Sequence, residues 1–129
     1  MAAMSNYLEL KMLDHFLGTS STSAPSNVFL SLWTSDPTDA GSGNELSGSG
    51  YARQDINFAA ASGGAAASNS TVTFPTATGS GWGTVTHIGI HDAATSGNLL
   101  YHGALSASKA IGAGDVMQVA SGDITITAA

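Results

Sequence analysis

The sequence predicts an all-β domain, a compact antiparallel β-sandwich or small barrel, with one short N-terminal α-helix. Most apolar residues recur with a period of two in short segments, which is the pattern of strands. Glycine-centred turns separate these segments at the spacing typical of sandwiches and small barrels. Only the first segment has a helical period. We therefore predict a single domain over residues 1–129, with the helix at 5–17 and the β domain at 19–129.

The predicted helix begins at Ser5, which can cap it, and ends before Gly18, a residue suited to the left-handed conformation that closes many helices. Its apolar stripe consists of Leu8, Met12, Leu13, Phe16 and Leu17. A helix of about twelve residues is marginal alone, so this stripe must pack against something. Packing on the protein's own sheet and docking on a neighbouring subunit or larger assembly are both open.

After the helix the apolar period changes to two. The predicted strands cover residues 28–33, 51–58, 72–74, 84–90, 98–105, 116–120 and 123–127. Pro75 limits the third of these to the edge or the end of a sheet. A turn-forming loop is predicted at 36–50, and the Ala-, Ser- and Gly-rich residues 59–68 are interpreted as a hairpin connection or a mobile loop.

The composition excludes several classes of protein. Charged residues make up 9% of the chain, whereas soluble domains typically carry about 25%. Three basic residues against nine acidic ones give a net charge of −6, so we expect no nucleic acid as a partner. No apolar run approaches the ~20 residues that cross a bilayer, and no secretory signal is expected. The chain contains no Cys, which excludes disulfides and thiolate metal sites.

The pair His87 and His91 is the strongest metal candidate. On a helix, two His four residues apart can bind one zinc ion, but Gly and β-branched neighbours favour a strand here. Four strand residues separate the two rings by roughly 13 Å, too far for one ion. The same alternation places Ile88 and Ile90 on the core face and both His on the other, which we interpret as a solvent or interface face.

Catalytic patterns are weak. No Ser has the flanking glycines of a nucleophile elbow, and the Gly-rich residues 79–83 lack a following Lys to bind a phosphate. Asp36, Asp39 and Glu45 could form a loose calcium loop, but their spacing does not match an EF-hand. We predict that the protein is not an enzyme, with no catalytic residue, no cofactor and no metal.

Three aromatic residues, Trp33, Trp82 and Tyr101, are candidates for stacking on sugar rings if they are exposed. The alternative is that large aromatics are simply the main core fillers of a small, Ala-rich domain. Both interpretations are open from the sequence.

Short motifs spread along almost the whole chain carry a resemblance. In chain order they are Ser5–Glu9, Leu13–His15, Leu17–Gly18, Asp36–Gly41, Gly50–Gln54, Trp82–Ile90, Gly97–Gly103 and Gly122–Ile126. In this order they resemble a family of small tailed-bacteriophage virion proteins, often labelled phage tail fibre proteins. The resemblance implies a structural component of the virion without catalytic residues. The Ala-rich residues 59–68 depart from the family pattern, which leaves the role of that loop open.

The resemblance implies assembly in the host cytoplasm, with other virion proteins as partners, either the major capsid protein or tail proteins. Our first expectation is a capsid cement or decoration protein that binds the major capsid protein as a symmetric homo-oligomer, a trimer, and stabilises the shell. Its candidate assembly contacts are Leu8, Met12 and Phe16. The alternative is a tail fibre or adhesin component that binds a host surface glycan or receptor. The low charge suits a surface covered by other proteins, because ordering Lys and Glu opposes burial.

Overall fold

The fold was obtained as a computed structural model that describes residues 2–127. Its elements, in chain order, are β1 (Ala3–Met4), α1 (Asn6–Phe16), β2 (Val28–Trp33), β3 (Gln54–Ile56), β4 (Ala65–Ala67), β5 (Val72–Thr73), β6 (Gly83–His91), β7 (Leu99–Ile111), β8 (Gln118–Val119) and β9 (Thr125–Thr127). The prediction of an all-β fold with one N-terminal helix is confirmed.

Five strands form the main sheet, in the order β1-β7-β6-β2-β3, and every neighbouring pair is antiparallel. On the β2–β6 pair, Leu30 lies opposite Ile90 and Leu32 lies opposite Ile88. The short strands β1 and β3 are the two edges of this sheet. The main sheet is therefore open, and of the two predicted forms the closed barrel does not occur within residues 2–127.

Two small sheets complete the β structure, one formed by β4 and β9 and one by β5 and β8. Val72 pairs with Val119, and Ala66 pairs with Ile126. The predicted strands at 116–120 and 123–127 therefore exist, but each pairs with a distant strand. Pro75 lies two residues beyond the end of β5, as expected for a residue that cannot donate to a ladder.

One hydrophobic core lies between a face of the main sheet and the two small sheets. Leu30, Leu32 and Val85 of the main sheet have no exposed surface, and Phe74 is 2% exposed. Side chains from both small sheets, such as Val119 and Ile126, belong to the same cluster. Burying each of these large apolar side chains stabilises the fold by about 1.5–3 kcal/mol.

Strand β7 is longer than predicted, because it continues to Ile111 through a large bulge. Val85 lies opposite Lys109 and His87 lies opposite Ala104, so the β7 residues 105–108 face Thr86 alone. An extra stretch in one strand bends it and leaves its residues unpaired. The bulge consists of Leu-Ser-Ala-Ser, whose composition does not indicate a strand, and the sequence prediction accordingly ended at residue 105.

Of the two interpretations of the Ala-rich run, the structure shows the hairpin connection, with Phe58 opposite Ser68 and Ser62 opposite Ala65. Gly63 and Gly64 adopt φ values of +61° and +79°, a left-handed turn that L side chains rarely adopt. The turn reverses the chain, and residues 65–67 then pair with β9 as strand β4. Alanine has no strong strand preference, so the pairing partner rather than the local sequence determines this strand.

Candidate functional site

Helix α1 is joined to the main sheet by Ser5, which is 1% exposed. The Ser5 N–H donates to the Leu100 carbonyl at 2.8 Å, and the Ser5 hydroxyl donates to the Leu99 carbonyl. The same Oγ accepts the Leu8 N–H at 3.2 Å, as the predicted N-cap requires. One side chain therefore both begins the helix and attaches it to the strand β7.

A second attachment of α1 runs through His102, which is 9% exposed. Its Nε2 lies 2.8 Å from Asp39 Oδ1, and its Nδ1 lies 3.8 Å from Asp36 Oδ1. The Asp39 carbonyl accepts the Asn6 N–H at 2.9 Å. Of the carboxylates in the loose calcium pattern, Asp39 hydrogen-bonds to His102, Asp36 lies near the same ring, and Glu45 pairs with Arg53 instead. Within residues 2–127 no group of three or more His, Cys, Asp or Glu is arranged to hold a metal.

The outward side of α1 is apolar. The α1 apolar face consists of Leu10, Leu13, Phe16 and Leu17, which are 64%, 55%, 77% and 74% exposed. No residue of α1 is buried, and the half-buried ones, such as Tyr7 and Lys11, lie on the opposite side. A surface helix normally turns its apolar stripe toward the core. Here most of the apolar stripe faces away from the protein's own sheet. Packing on that sheet, one of the two options left open by the sequence, therefore does not account for the stripe.

The three predicted assembly contacts lie in different environments. Phe16 is the most exposed of the large apolar residues in 2–127, Met12 is 36% exposed, and Leu8 is half-buried. The sequence analysis did not include Leu10, although its spacing of three and seven residues from Leu13 and Leu17 indicates the same helix face.

Within residues 2–127 no helix is long and apolar enough to cross a membrane.

On the second face of the main sheet lies a buried polar cluster built around His91. Ile88 and Ile90 point into the core and His91 points to the other face, as the alternation predicted. However, His91 is 4% exposed rather than open to solvent. Its ring lies parallel to that of Trp33, with centroids 6.1 Å apart. Burial and, to a smaller extent, the nearby Arg53 cation together lower the pKa of His91 to about 4.

A glycine makes this close packing possible. The Trp33 Nε1–H donates to Ser31 Oγ at 2.8 Å, and Ser31 Oγ lies 3.1 Å from His91 Nδ1. A Cβ at Gly89 would lie 2.7 Å from Ser31 Oγ and 2.9 Å from Trp33 Nε1. These contacts are shorter than side chains tolerate, so glycine is the residue that fits beneath the pair.

Arg53 and Glu45 form a bidentate ion pair above this layer. Arg53 Nε and Nη2 donate to the two carboxylate oxygens of Glu45, each at 2.8 Å. Arg53 Nη1 donates to the carbonyls of Ala93 and Ser96 at 3.0 and 2.8 Å. The pairing with Glu45 raises the pKa of Arg53. The arginine thereby joins the 36–50 loop to the turn between β6 and β7.

Tyr51 connects the ion pair to the core. Its hydroxyl accepts the Leu32 N–H at 3.1 Å and donates to Glu45 Oε2 at 2.8 Å. Burial raises the pKa of Tyr51, so the phenol keeps its proton. Burial alone would raise the pKa of Glu45, but hydrogen bonds from Arg53 and Tyr51 together lower it. Glu45 is therefore a carboxylate with fixed donors.

Surface cavities lie beside strand β7 and beside the polar cluster. One, of about 430 Å³, lies between β7 and the small sheets and includes the bulge at 105–107. The other, of about 350 Å³, adjoins the polar cluster. The second cavity is lined by Trp33, Ala40, Gly41, Glu45, Arg53, His91 and residues 96–99. We call it the Trp33 cavity.

The aromatic residues predicted to stack on sugars are mostly packed inside. Trp33 and Trp82 are 4% and 6% exposed, and Tyr101 is half-buried. Trp82 lies edge-on to Tyr51 at 5.6 Å and donates its indole N–H to the Ser49 carbonyl at 2.8 Å. Stacking needs an open ring face, so these positions count against the stacking interpretation and favour core filling.

An exposed apolar helix held firmly on a β domain is characteristic of a subunit that packs against other proteins. Residues 3–127 match a family model described as podophage GP4 fiber I protein gp80. The chain belongs to this family of phage fibre proteins, and it is a structural component of the virion. No curated protein matches the chain.

The family assignment confirms the resemblance to phage virion proteins. A fibre protein associates with other tail or virion proteins, and a structural role is consistent with the prediction that the chain is not an enzyme. We expected a capsid cement protein first and a tail fibre component second, and the family assignment reverses this order. A fibre family supports the tail-fibre alternative better than capsid cement, which nothing in the fold or the family description supports.

Proposed function

We propose that the protein is a subunit of a phage tail fibre that packs through the α1 apolar face against another protein of the tail. The observation that carries this proposal is that the large exposed apolar side chains concentrate on α1. Of the six large hydrophobic residues that are exposed within residues 2–127, five lie between Leu10 and Leu17, and the sixth is Val116. Burying each such side chain contributes about 1.5–3 kcal/mol to association.

The attachment of α1 suits this role. Ser5 and Asp39 hold the first turn by backbone hydrogen bonds to the domain, so the helix presents its outward side in one orientation. A partner then binds a preformed surface and does not bear the entropy of ordering a free helix. The predicted homotrimer stays a prediction, and another copy of the chain is one form that the tail partner can take.

The test replaces Leu13 and Phe16 with Gln and supplies the variant to a phage that lacks its own copy. The matched control is Val116→Gln, which changes an exposed apolar residue outside α1. We expect both proteins to fold, as judged by circular dichroism, and only the control to enter purified particles. Incorporation of the α1 variant at the control level would rule out this attachment surface.

The position in the particle is measured by copy number. A tail fibre subunit should be present in a small number of copies per virion, whereas a capsid cement protein would be present in hundreds. Quantitative mass spectrometry against the major capsid protein gives this number, and a cryo-EM map shows the oligomer. Hundreds of copies spread over the shell would contradict the tail fibre proposal and support the capsid cement interpretation.

A further inference from the structure

Two acidic side chains border the α1 apolar face, one along each side. Leu10, Leu13 and Leu17 follow the alternating three- and four-residue spacing of a seam between packed helices. At about 100° per residue, Glu9 lies on one side of this seam and Asp14 on the other. Both carboxylates are exposed, and neither forms an ion pair within residues 2–127. A protein that covers the seam therefore meets a negative charge at each border.

The charge of Asp14 does not serve its own helix. Asp14 lies in the last turn of α1, where the helix macrodipole favours a cation and disfavours an anion. Its Oδ1 accepts the Thr19 hydroxyl at 3.1 Å, a hydrogen bond that a neutral amide oxygen would accept as well. Glu9, by contrast, lies in the first turn, where a negative charge suits the dipole. A cation brought by a partner would offset the unfavourable position of Asp14.

Covering the α1 apolar face places both carboxylates at the rim of an interface. A carboxylate that loses water without gaining a cation opposes binding. A carboxylate that meets Lys or Arg instead favours the correct partner and speeds its encounter with the helix. The partner that fits therefore carries basic side chains on both sides of the seam, separated by about 10 Å, the width of a helix.

A second copy of this chain does not supply two such side chains. The chain has three Lys and Arg residues. Arg53 is held by the bidentate pair with Glu45. Lys11 is half-buried on α1 itself, with its Nζ 5.7 Å from the centre of the Tyr7 ring. Of the three, Lys109 alone is exposed, and one cation cannot neutralise both borders of the seam.

Packing α1 against α1 would also bring like charges together. In a parallel pair, a residue at the border of the seam faces the residue five positions later on the other helix, so Glu9 would lie beside Asp14 of the other copy. An antiparallel pair brings no Lys or Arg to either border, because Lys11 lies on the opposite side of the helix. The homotrimer predicted from the sequence therefore has to use a different surface.

Given the proposed function, on which this inference rests, we propose that a different tail protein covers α1, and that it presents a short apolar groove with Lys or Arg on both sides. The seam from Leu10 to Leu17 is about 10 Å long, so the groove holds two turns of helix. The net charge of the chain, −6, is attracted by the same basic surface before contact.

The experiment measures how the full-length chain binds purified particles of a phage that lacks its own copy, by co-sedimentation at increasing NaCl concentration. The variant carries Glu9→Lys and Asp14→Lys. The macrodipole disfavours the first lysine and favours the second, so we expect α1 to stay folded. At low salt the variant should bind about tenfold or more weakly than the unchanged protein. Binding of the unchanged protein should weaken as salt screens the ion pairs.

The matched control is Asp55→Lys with Asp123→Lys, which replaces two exposed acids outside α1 and changes the net charge by the same amount. We expect it to bind like the unchanged protein. Equal binding by the two lysine variants, whether strong or weak, would overturn the basic partner. In that case, loss of binding by Leu13→Gln with Phe16→Gln would keep the proposed function, and normal binding by this third variant would remove both.

A neutral variant covers the case in which the lysine variant fails to fold. Glu9→Gln with Asp14→Asn keeps the size of both side chains and removes their charges. We expect it to bind about threefold or more weakly at low salt and to depend less on salt. Binding or a salt dependence equal to that of the unchanged protein would contradict the proposal.

Analytical ultracentrifugation of the isolated protein tests the second copy as the occupant. The oligomeric state should be the same with and without Leu13→Gln and Phe16→Gln, because α1 does not pair with another copy. An oligomer that only the unchanged protein forms would show that a second copy covers α1, and it would overturn the proposal of a different, basic partner.

Discussion

Helix α1 and the His91 cluster both depart from the usual distribution of residues, in which apolar side chains are buried and polar side chains are exposed. The α1 apolar face is open to solvent, with Phe16 77% exposed, whereas His91 and its polar neighbours are buried. The cluster is complete in itself, because the Arg53–Glu45 pair and Tyr51 satisfy one another. The helix is incomplete, because nothing within residues 2–127 covers its apolar face. The difference shows that an unusual surface indicates a partner only where the chain leaves its groups unpaired.

Removing the arginine of the cluster should have the largest effect on stability. Arg53→Gln leaves Glu45 half-buried without its bidentate donor, and we expect the free energy of unfolding to fall by about 3 kcal/mol. Urea denaturation at neutral pH measures it. Lys109→Gln, at an exposed position, should change stability by less than about 0.5 kcal/mol. A small effect for Arg53→Gln would mean that the cluster does not support the fold.

Acid should act on the same cluster through His91. Its pKa is about 4 when folded against an ordinary value of 6.5, so only the unfolded chain takes up this proton between those values. Stability is therefore full above pH 6.5 and falls as the pH drops to 4, by up to about 3 kcal/mol. Denaturation curves across this window measure the slope. His91→Gln should remove it and His87→Gln should keep it, and an unchanged slope in His91→Gln would assign it to other groups.

A single hydroxyl should have a smaller but measurable effect. Tyr51→Phe leaves the Leu32 N–H without its acceptor and Glu45 without one donor, and we expect a loss of about 2 kcal/mol. Tyr7→Phe is the control, since the hydroxyl of this helix residue has no hydrogen-bond partner among residues 2–127. Thermal or urea unfolding of both variants gives the difference, and equal stability would contradict the role of Tyr51.

The smallest effect on stability is expected on α1. Leu10→Gln with Leu13→Gln changes two side chains that touch little of the domain, so stability should change by less than about 0.5 kcal/mol. Urea denaturation of the isolated protein provides the value. A loss of 2 kcal/mol or more would show that α1 packs on its own domain in solution, and the contrast with the His91 cluster would disappear.

Local patterns were sufficient for the elements that depend on near neighbours. Ser5 and Gly18 define the ends of the helix, with Gly18 at φ +82°. The alternation at 87–91 places Ile88 and Ile90 in the core and both His on the other face. These features follow from capping chemistry and from the two-residue period of a strand, which one sequence shows directly.

Features that depend on distant partners could not be predicted. His91 is buried beside Arg53 and Glu45, which lie 38 and 46 residues away in the sequence. Strand β4 exists because β9 pairs with it, although three alanines carry no strand signal of their own. The direction of the α1 stripe was equally inaccessible, since an amphipathic period shows that a face exists and not what covers it.

The connection at Ser5 also has a mechanical consequence. The same residue begins α1 and donates two hydrogen bonds to the β7 residues Leu99 and Leu100, next to the short strand β1. A force that pulls on α1 is therefore passed first to β7, the longest strand, and from there to β6 through their shared ladder. A fibre subunit held by its helix would bear load at the centre of its sheet and, through the Asn6–Asp39 hydrogen bond, also in the 36–50 loop beside the Trp33 cavity.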